Sequence, residues 1–111
     1  REIHDALKRR CLYTWIGFPE PAREVAIVRS RLPHVGETLA DQVVAAVNRM
    51  RGMDLEKVPG VAETIDWTQS LDALGASTLT EDAALDTLGA VIKDRDDLEY
   101  ASRSIQDVLS R

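Results

Sequence analysis

The stretch from Val58 to Gly75, VPGVAETIDWTQSLDALG, limits what this chain can fold into more than any other. A Pro-Gly pair interrupts the chain, and the apolar residues Trp67, Leu71 and Leu74 then recur at the i, i+4 and i+7 positions of one helix face. The first N–H groups of such a helix lack intrahelical partners and can bind an anion. Most junctions of this kind simply connect two helices of a bundle, so both interpretations stay open.

Four further segments carry apolar residues at helical spacing, and Ala, Leu and Val outnumber aromatic residues. The four sets are Val25, Val28 and Leu32; Leu39, Val43, Val47 and Met50; Leu85, Leu88 and Ile92; and Leu98, Ala101, Ile105 and Val108. Outside the second set we place Asp41, Gln42, Arg49 and Arg51. These patterns predict a mostly α-helical bundle, in which Trp67 is a core residue and the last set forms one final helix, continuous with the helix before it or kinked from it.

Helix boundaries are marked by prolines, glycines and one capping residue. Pro19-Glu20-Pro21 is typical of a helix start, and Pro33 of a stop. Gly52 and Gly75 are predicted to end their helices in the left-handed conformation. Thr80 is predicted to cap a helix whose first turn carries two acidic residues.

The beginning of the chain has a different character. Residues 2–10 resemble the end of an amphipathic helix that finishes in Lys8-Arg9-Arg10, and Cys11 to Phe18 read as a short strand. A single strand needs pairing partners, so we expect the sequence to be a piece of a longer protein. The patterns divide the chain into a helix end and a short strand at 1–18 and a helical domain at 19–111.

Composition narrows the functional classes. A net charge of −5 argues against a general nucleic-acid binder, and therefore also against a helix-turn-helix DNA-binding domain formed by neighbouring helices. One cysteine cannot form an intramolecular disulfide, and no apolar run approaches the roughly 20 residues that cross a bilayer. We expect a cytoplasmic protein without a membrane span.

The residue pattern gives little support for a metal site or for a catalytic nucleophile. His4, Cys11 and His34 share no ligand spacing, so no metal site is predicted. The acidic residues Asp94, Asp96, Asp97 and Glu99 are best explained as a solvated helix face. Cys11 lies in the most apolar run, where a thiol is usually packed and inert.

The basic triplet Lys8-Arg9-Arg10 has two interpretations. It can be a solvated helix end, where cations are favourable at the negative pole of the helix dipole. It can also direct a guanidinium toward a phosphate of another subunit, because the planar fork of arginine binds phosphate oxygens at two points.

HDALKRRCLYTWIGFP followed by PGVAETIDW resembles the C-terminal part of a MoxR-type AAA+ ATPase, in the branch associated with carbon monoxide dehydrogenase maturation. The resemblance covers residues 1 to about 97. It implies that the first block leads out of an α/β nucleotide-binding core, of which residues 1–18 are the C-terminal remnant. The second block would open a helix of the α-helical lid, at residues 19–111. The Walker A, Walker B and sensor-1 elements would lie upstream of Arg1.

The resemblance also implies site residues. Arg10 falls where the family places its arginine finger, with Arg9 as the neighbour that can take this role, acting on the nucleotide of the adjacent subunit. Gly60, Glu63 and Thr64 fall at the sensor-2 loop, where they would be nucleotide-binding. Thr64 occupies the position that arginine usually fills, so sensing would depend on backbone N–H groups, on the Thr64 hydroxyl or on a cation from elsewhere.

The function implied is coupling of ATP hydrolysis to the remodelling or maturation of a partner enzyme. The complete protein would bind ATP and Mg²⁺, whereas this piece would bear no cofactor and have no ATPase activity. Its partners would be other subunits of an ATPase ring and a client metalloenzyme or a von Willebrand factor A-type protein. The alternative from another class is a free-standing helical interaction module that binds a partner through Leu98, Ala101, Ile105 and Val108.

Overall fold

The computed structural model describes residues 17–109, and within this range the chain forms six α-helices, a 3₁₀ turn and no strand. The helices are α1 (Pro21–Arg31), α2 (Glu37–Arg51), α3 (Val61–Ala73), α4 (Glu81–Thr87), α5 (Arg95–Arg103) and α6 (Ile105–Leu109), and the 3₁₀ turn is Leu88–Ala90. The predicted mostly helical bundle is confirmed. The predicted helix at 2–10 and most of the predicted strand lie outside the described residues.

Helix α2 is the centre of the bundle and packs against α1, α3 and α6. Its buried apolar residues are Leu39, Ala40, Val43, Val44, Ala46, Val47 and Met50. These residues cover a broad face of α2, because residues at i, i+3, i+4 and i+7 lie on the same side of a helix. Helices α1, α3 and α6 pack on α2, whereas α4 packs against α3 and α6, and α5 packs against α6 and the 3₁₀ turn.

Helix α1 begins and ends where the prolines indicate. Pro21 is its first residue, and the helix stops at Arg31, before Leu32 and Pro33. Val28 is fully buried against α2, which confirms the predicted apolar face. The α2 terminus differs from expectation: Gly52 has φ −89° and ψ −5°, a right-handed conformation, so the left-handed cap predicted there is wrong.

Helix α3 buries Trp67 and Leu71, as predicted, and the indole Nε1 of Trp67 donates to the hydroxyl of Thr87 at 2.8 Å. Leu74 was expected on the same buried face, but it is 53% exposed. The helix ends at Ala73, and Gly75 with φ 88° turns the chain away in the left-handed conformation predicted for it. Leu74 therefore lies beyond the last regular turn.

Helix α4 begins as predicted, because the Thr80 hydroxyl accepts from the backbone N–H of Ala83 at 3.2 Å. Leu88 and Ile92 are buried, but Leu85 is 41% exposed, so its assignment to the core is wrong. The helix has only seven residues, and the chain then tightens into the 3₁₀ turn, which changes the register between Leu85 and Leu88.

The last part of the chain forms two helices, α5 and α6, which meet at Ser104. Ala101, Ile105 and Val108 are buried in the core of the bundle. The partner-binding seam proposed for the interaction module is therefore wrong as an exposed surface, because three of its four residues already pack internally. No helix within residues 17–109 is long and apolar enough to cross a bilayer.

Asp97 departs from the solvated acidic face expected around it. Its side chain is buried, and its two carboxylate oxygens accept the backbone N–H groups of Glu56 and Lys57, each at 2.8 Å. The prediction of solvation is wrong for this residue because the α2–α3 connection lies against the first turn of α5. Asp97 replaces water as the acceptor for two backbone donors of that connection.

Candidate functional site

The predicted arginine finger lies outside the described residues, as do Arg9, Arg10 and the other residues of 1–16. The structure begins with Gly17 and Phe18, the end of the predicted core remnant, in no regular secondary structure. The part of the candidate site that is described is therefore the sensor-2 loop and its surroundings.

Gly60, Glu63 and Thr64 are brought together at the start of α3. Gly60 is the residue preceding the helix, and its N–H donates to Oε1 of Glu63 at 2.9 Å. This contact is one half of a capping box. Gly60 has no side chain to accept from the first-turn N–H groups of α3, which leaves backbone donors at this end of the helix without a side-chain cap.

Thr64 is fully buried, and its hydroxyl donates to Oε2 of Glu24 at 2.8 Å and lies 3.1 Å from the carbonyl of Gly60. Glu24 is also fully buried, on α1. The Thr64 hydroxyl is therefore directed into the bundle, toward a carboxylate. The hydrogen-bond partners of this hydroxyl are protein atoms.

The partner of Glu24 is Arg51, the last residue of α2. Arg51 Nη1 and Nη2 donate to the two carboxylate oxygens of Glu24, each at 2.8 Å. The side chains are 5% and 0% exposed, so this is a buried, two-point ion pair. Burying two charges is costly unless each is paired and hydrogen-bonded, and this geometry meets both conditions.

Arg51 joins this pair to two further segments. Its Nε donates to the carbonyl of Pro59 at 2.9 Å, and its guanidinium carbon lies 4.0 Å from the centre of the Phe18 ring. We call these five residues, Phe18, Glu24, Arg51, Pro59 and Thr64, the Arg51 network. It connects the chain entering the bundle with α1, α2, the loop before α3 and α3 itself.

The position predicted for Arg51, outside the apolar stripe of α2, is wrong. Arg51 follows Val47 by four residues and Val44 by seven, so it continues the buried face. Glu24 shares a face with Val28 in the same way, four residues apart, and sequence reasoning overlooked it. The sequence signal for this buried pair is two opposite charges, each at helical spacing from buried apolar residues of its own helix.

The Arg51 network can hold side chains and backbone segments in fixed positions. All three guanidinium nitrogens of Arg51 donate to protein acceptors, so its charge is directed toward Glu24. Among residues 17–109, no group of three or more His, Cys, Asp and Glu residues is arranged to hold a metal ion. His34 lies 2.8 Å from an Asp72 oxygen in an exposed pair that joins the α1–α2 loop to α3.

Comparisons with protein-family models, with curated proteins and with solved structures find no match to this chain.

Proposed function

We propose that residues 19–111 are the α-helical lid of an oligomeric AAA+ ATPase of the MoxR type, following a nucleotide-binding core whose end is residues 1–18. Two observations support this assignment: the paired sequence blocks HDALKRRCLYTWIGFP and PGVAETIDW, and the helical bundle that follows the first block. The complete protein would act in the cytoplasm and bind ATP and Mg²⁺.

The observation that carries the proposal is the contact of Phe18 with Arg51 at 4.0 Å. Phe18 is the last residue of the proposed core remnant, and Arg51 is fixed by Glu24 and by the Pro59 carbonyl. A lid responds to nucleotide only if its connection to the core transmits movement. The Arg51 network supplies such a stiff connection, because it joins the entering chain to buried charges in the bundle.

The same network limits which groups of the proposed lid could contact the nucleotide. Because the Thr64 hydroxyl donates to Glu24, contact at the sensor-2 loop would come from the first-turn backbone N–H groups of α3, beside Gly60 and Glu63. The positive charge would come from Arg10, or from Arg9, of an adjacent subunit. ATP hydrolysis would then drive the remodelling of a client metalloenzyme or of a von Willebrand factor A-type partner.

The test is Arg10→Ala in the complete protein, with Arg9→Ala beside it and Lys8→Ala as the matched control from the same triplet. An arginine finger is worth about 10³ to 10⁵ in turnover in related phosphoryl-transfer systems. We expect one of the two arginine variants to lose at least about 10³-fold in ATP hydrolysis while it still binds a fluorescent ATP analogue. Wild-type turnover in both arginine variants would refute the proposal, and so would an equal loss in Lys8→Ala.

A further inference from the structure

A cavity of about 300 Å³ lies between the C-terminal end of α2 and the junction of α5 with α6. The side chains that line it are Arg49, Met53, Tyr100, Ser104, Asp107 and Val108. Met53 and the Tyr100 ring, which is 38% exposed, give it an apolar wall. Sites for small molecules have volumes of about 300 to 1,000 Å³ and combine apolar walls with a few polar groups, so this cavity has the size and lining of a site for a small ligand.

The cavity contains a cation and a carboxylate that do not neutralise each other. Arg49 is half-buried, and its Nη1 donates to the Val108 carbonyl at 2.6 Å, which fixes the guanidinium. The other N–H donors of Arg49 have no acceptor among residues 17–109. Asp107 is exposed, and within the same range neither Asp107 nor Arg49 forms an ion pair. Both charges are therefore available to a ligand in the cavity.

We propose that this cavity binds a free α-amino acid with an apolar side chain. The α-carboxylate would accept from the remaining N–H donors of Arg49, because a guanidinium binds a carboxylate at two points. The α-ammonium would donate to the Asp107 carboxylate and to the Ser104 hydroxyl. The side chain of the amino acid would pack against Met53 and Tyr100, where it is removed from water.

The pairing of charges in the cavity distinguishes an amino acid from other ligands. A phosphate or another anion would be repelled by Asp107 and by the net charge of −5, and a cation would be repelled by Arg49. An amino acid has no net charge and offers one group to each side chain. Within a peptide, the α-amino and α-carboxylate groups belong to different residues, so a peptide end would leave one of the two protein charges without a partner.

The experiment is titration of the isotopically labelled 111-residue chain with L-leucine and L-phenylalanine, followed by two-dimensional amide NMR spectra. We expect saturable shifts at the amides of Gly52, Met53 and Ser104, which line the cavity. N-acetyl-leucine lacks the ammonium, and leucinamide lacks the carboxylate. Each should bind at least about tenfold more weakly than leucine, because each loses a hydrogen bond between charged groups. L-serine, which lacks the apolar side chain, should also bind more weakly.

Asp107→Asn tests the ammonium contact. It should weaken leucine binding at least about tenfold but leave the affinity for N-acetyl-leucine unchanged, because that ligand has no ammonium to lose. Asp41→Asn is the matched control, since Asp41 is an exposed carboxylate that lines a separate cavity beside Arg49. It should leave leucine binding unchanged. Circular dichroism checks that each variant is folded.

Gly52→Leu tests the cavity itself without changing a charge. Only the Arg49 carbonyl oxygen lies within 4 Å of a Cβ added at Gly52, at 3.5 Å, which is an ordinary contact. The new side chain should occupy the opening and abolish binding. Gly89→Leu is the control, because a Cβ at Gly89 also meets open space but lies outside the cavity.

Three outcomes would overturn the proposal. They are the absence of saturable shifts with both amino acids, equal affinity for leucine and N-acetyl-leucine, and leucine binding that survives both Asp107→Asn and Gly52→Leu. The measurement uses neither ATP nor Arg10, so its failure would leave the proposed function untouched.

Discussion

Replacing Arg51 by methionine should be among the most damaging substitutions in the described part of the chain. The substitution removes the partner of Glu24, whose side chain is 0% exposed, and leaves a carboxylate buried without a countercharge. Breaking a buried ion pair in this way typically costs about 3–5 kcal/mol. The free energy of unfolding of a domain of this size is about 5–15 kcal/mol. If the value for this protein is near the lower limit, the substitution removes most of its stability.

The assay is urea unfolding followed by circular dichroism, in which a loss of this size lowers the midpoint by roughly 2 M. Arg31→Met is the matched control, because Arg31 is also the last residue of its helix but is exposed. It should lose only the dipole contribution, about 0.3–1 kcal/mol. This control separates the effect of the buried pair from the general benefit of a cation at a helix end.

The double-mutant cycle with Glu24→Leu decides whether the pair itself is responsible. Each single variant leaves one charge buried alone, whereas Glu24→Leu/Arg51→Met leaves none. We expect the double variant to lose at least about 2 kcal/mol less than the sum of the single losses, which is within the range of coupling for contacting residues. It should still lose about 1–3 kcal/mol, because the Pro59 carbonyl no longer has its donor. Additive losses would refute the reasoning.

Two further substitutions test the contacts around this network and at the other end of the α2–α3 connection. Asp97→Ala should destabilise the protein by about 1–3 kcal/mol, since two partly buried backbone N–H groups lose their carboxylate acceptor, and those amides should exchange faster with deuterium. Asp96 is the exposed neighbour and the control, because Asp96→Ala should change stability by less than about 0.5 kcal/mol. Phe18→Leu should cost about 1–2 kcal/mol in urea unfolding, because Arg51 loses the ring over its guanidinium, and an unchanged midpoint would contradict a stabilising contact there.

The helices themselves follow from local patterns in the sequence. Pro21 at the first position of α1, Thr80 as a hydroxyl cap and Gly75 in the left-handed conformation are all single-residue signals, and each is confirmed. Such signals depend on neighbouring residues alone, although the same kind of signal at Gly52 predicted the wrong backbone conformation. Apolar spacing likewise identified the buried faces of α2 and α3 through Val47 and Trp67.

The errors arise where burial depends on distant parts of the chain or on a helix end. Asp97 accepts from a loop 40 residues earlier, and Arg51 pairs with a carboxylate 27 residues away. Helical spacing places Arg51 and Glu24 on buried faces, but it does not show which residue each of them pairs with. Leu74 and Leu85 have the helical spacing of core residues but lie where a helix stops or changes register. The candidate nucleotide loop was located by resemblance, whereas the direction of the Thr64 hydroxyl depends on Glu24, from another helix.

The Arg51 network separates the stability of the bundle from the fixed orientation of its helices. Stability alone does not require a buried ion pair, because apolar residues of similar volume often serve as well or better. Glu24, however, receives donors from both Arg51 and Thr64, and Arg51 also holds the Pro59 carbonyl, so the orientation of α3 relative to α1 and α2 is fixed by directional contacts. Phe18 lies on this same guanidinium, which links the direction of the entering chain to the start of α3. Apolar residues in place of Glu24 and Arg51 would fill the same space, but they would not fix the orientation of α3 relative to α1 and α2.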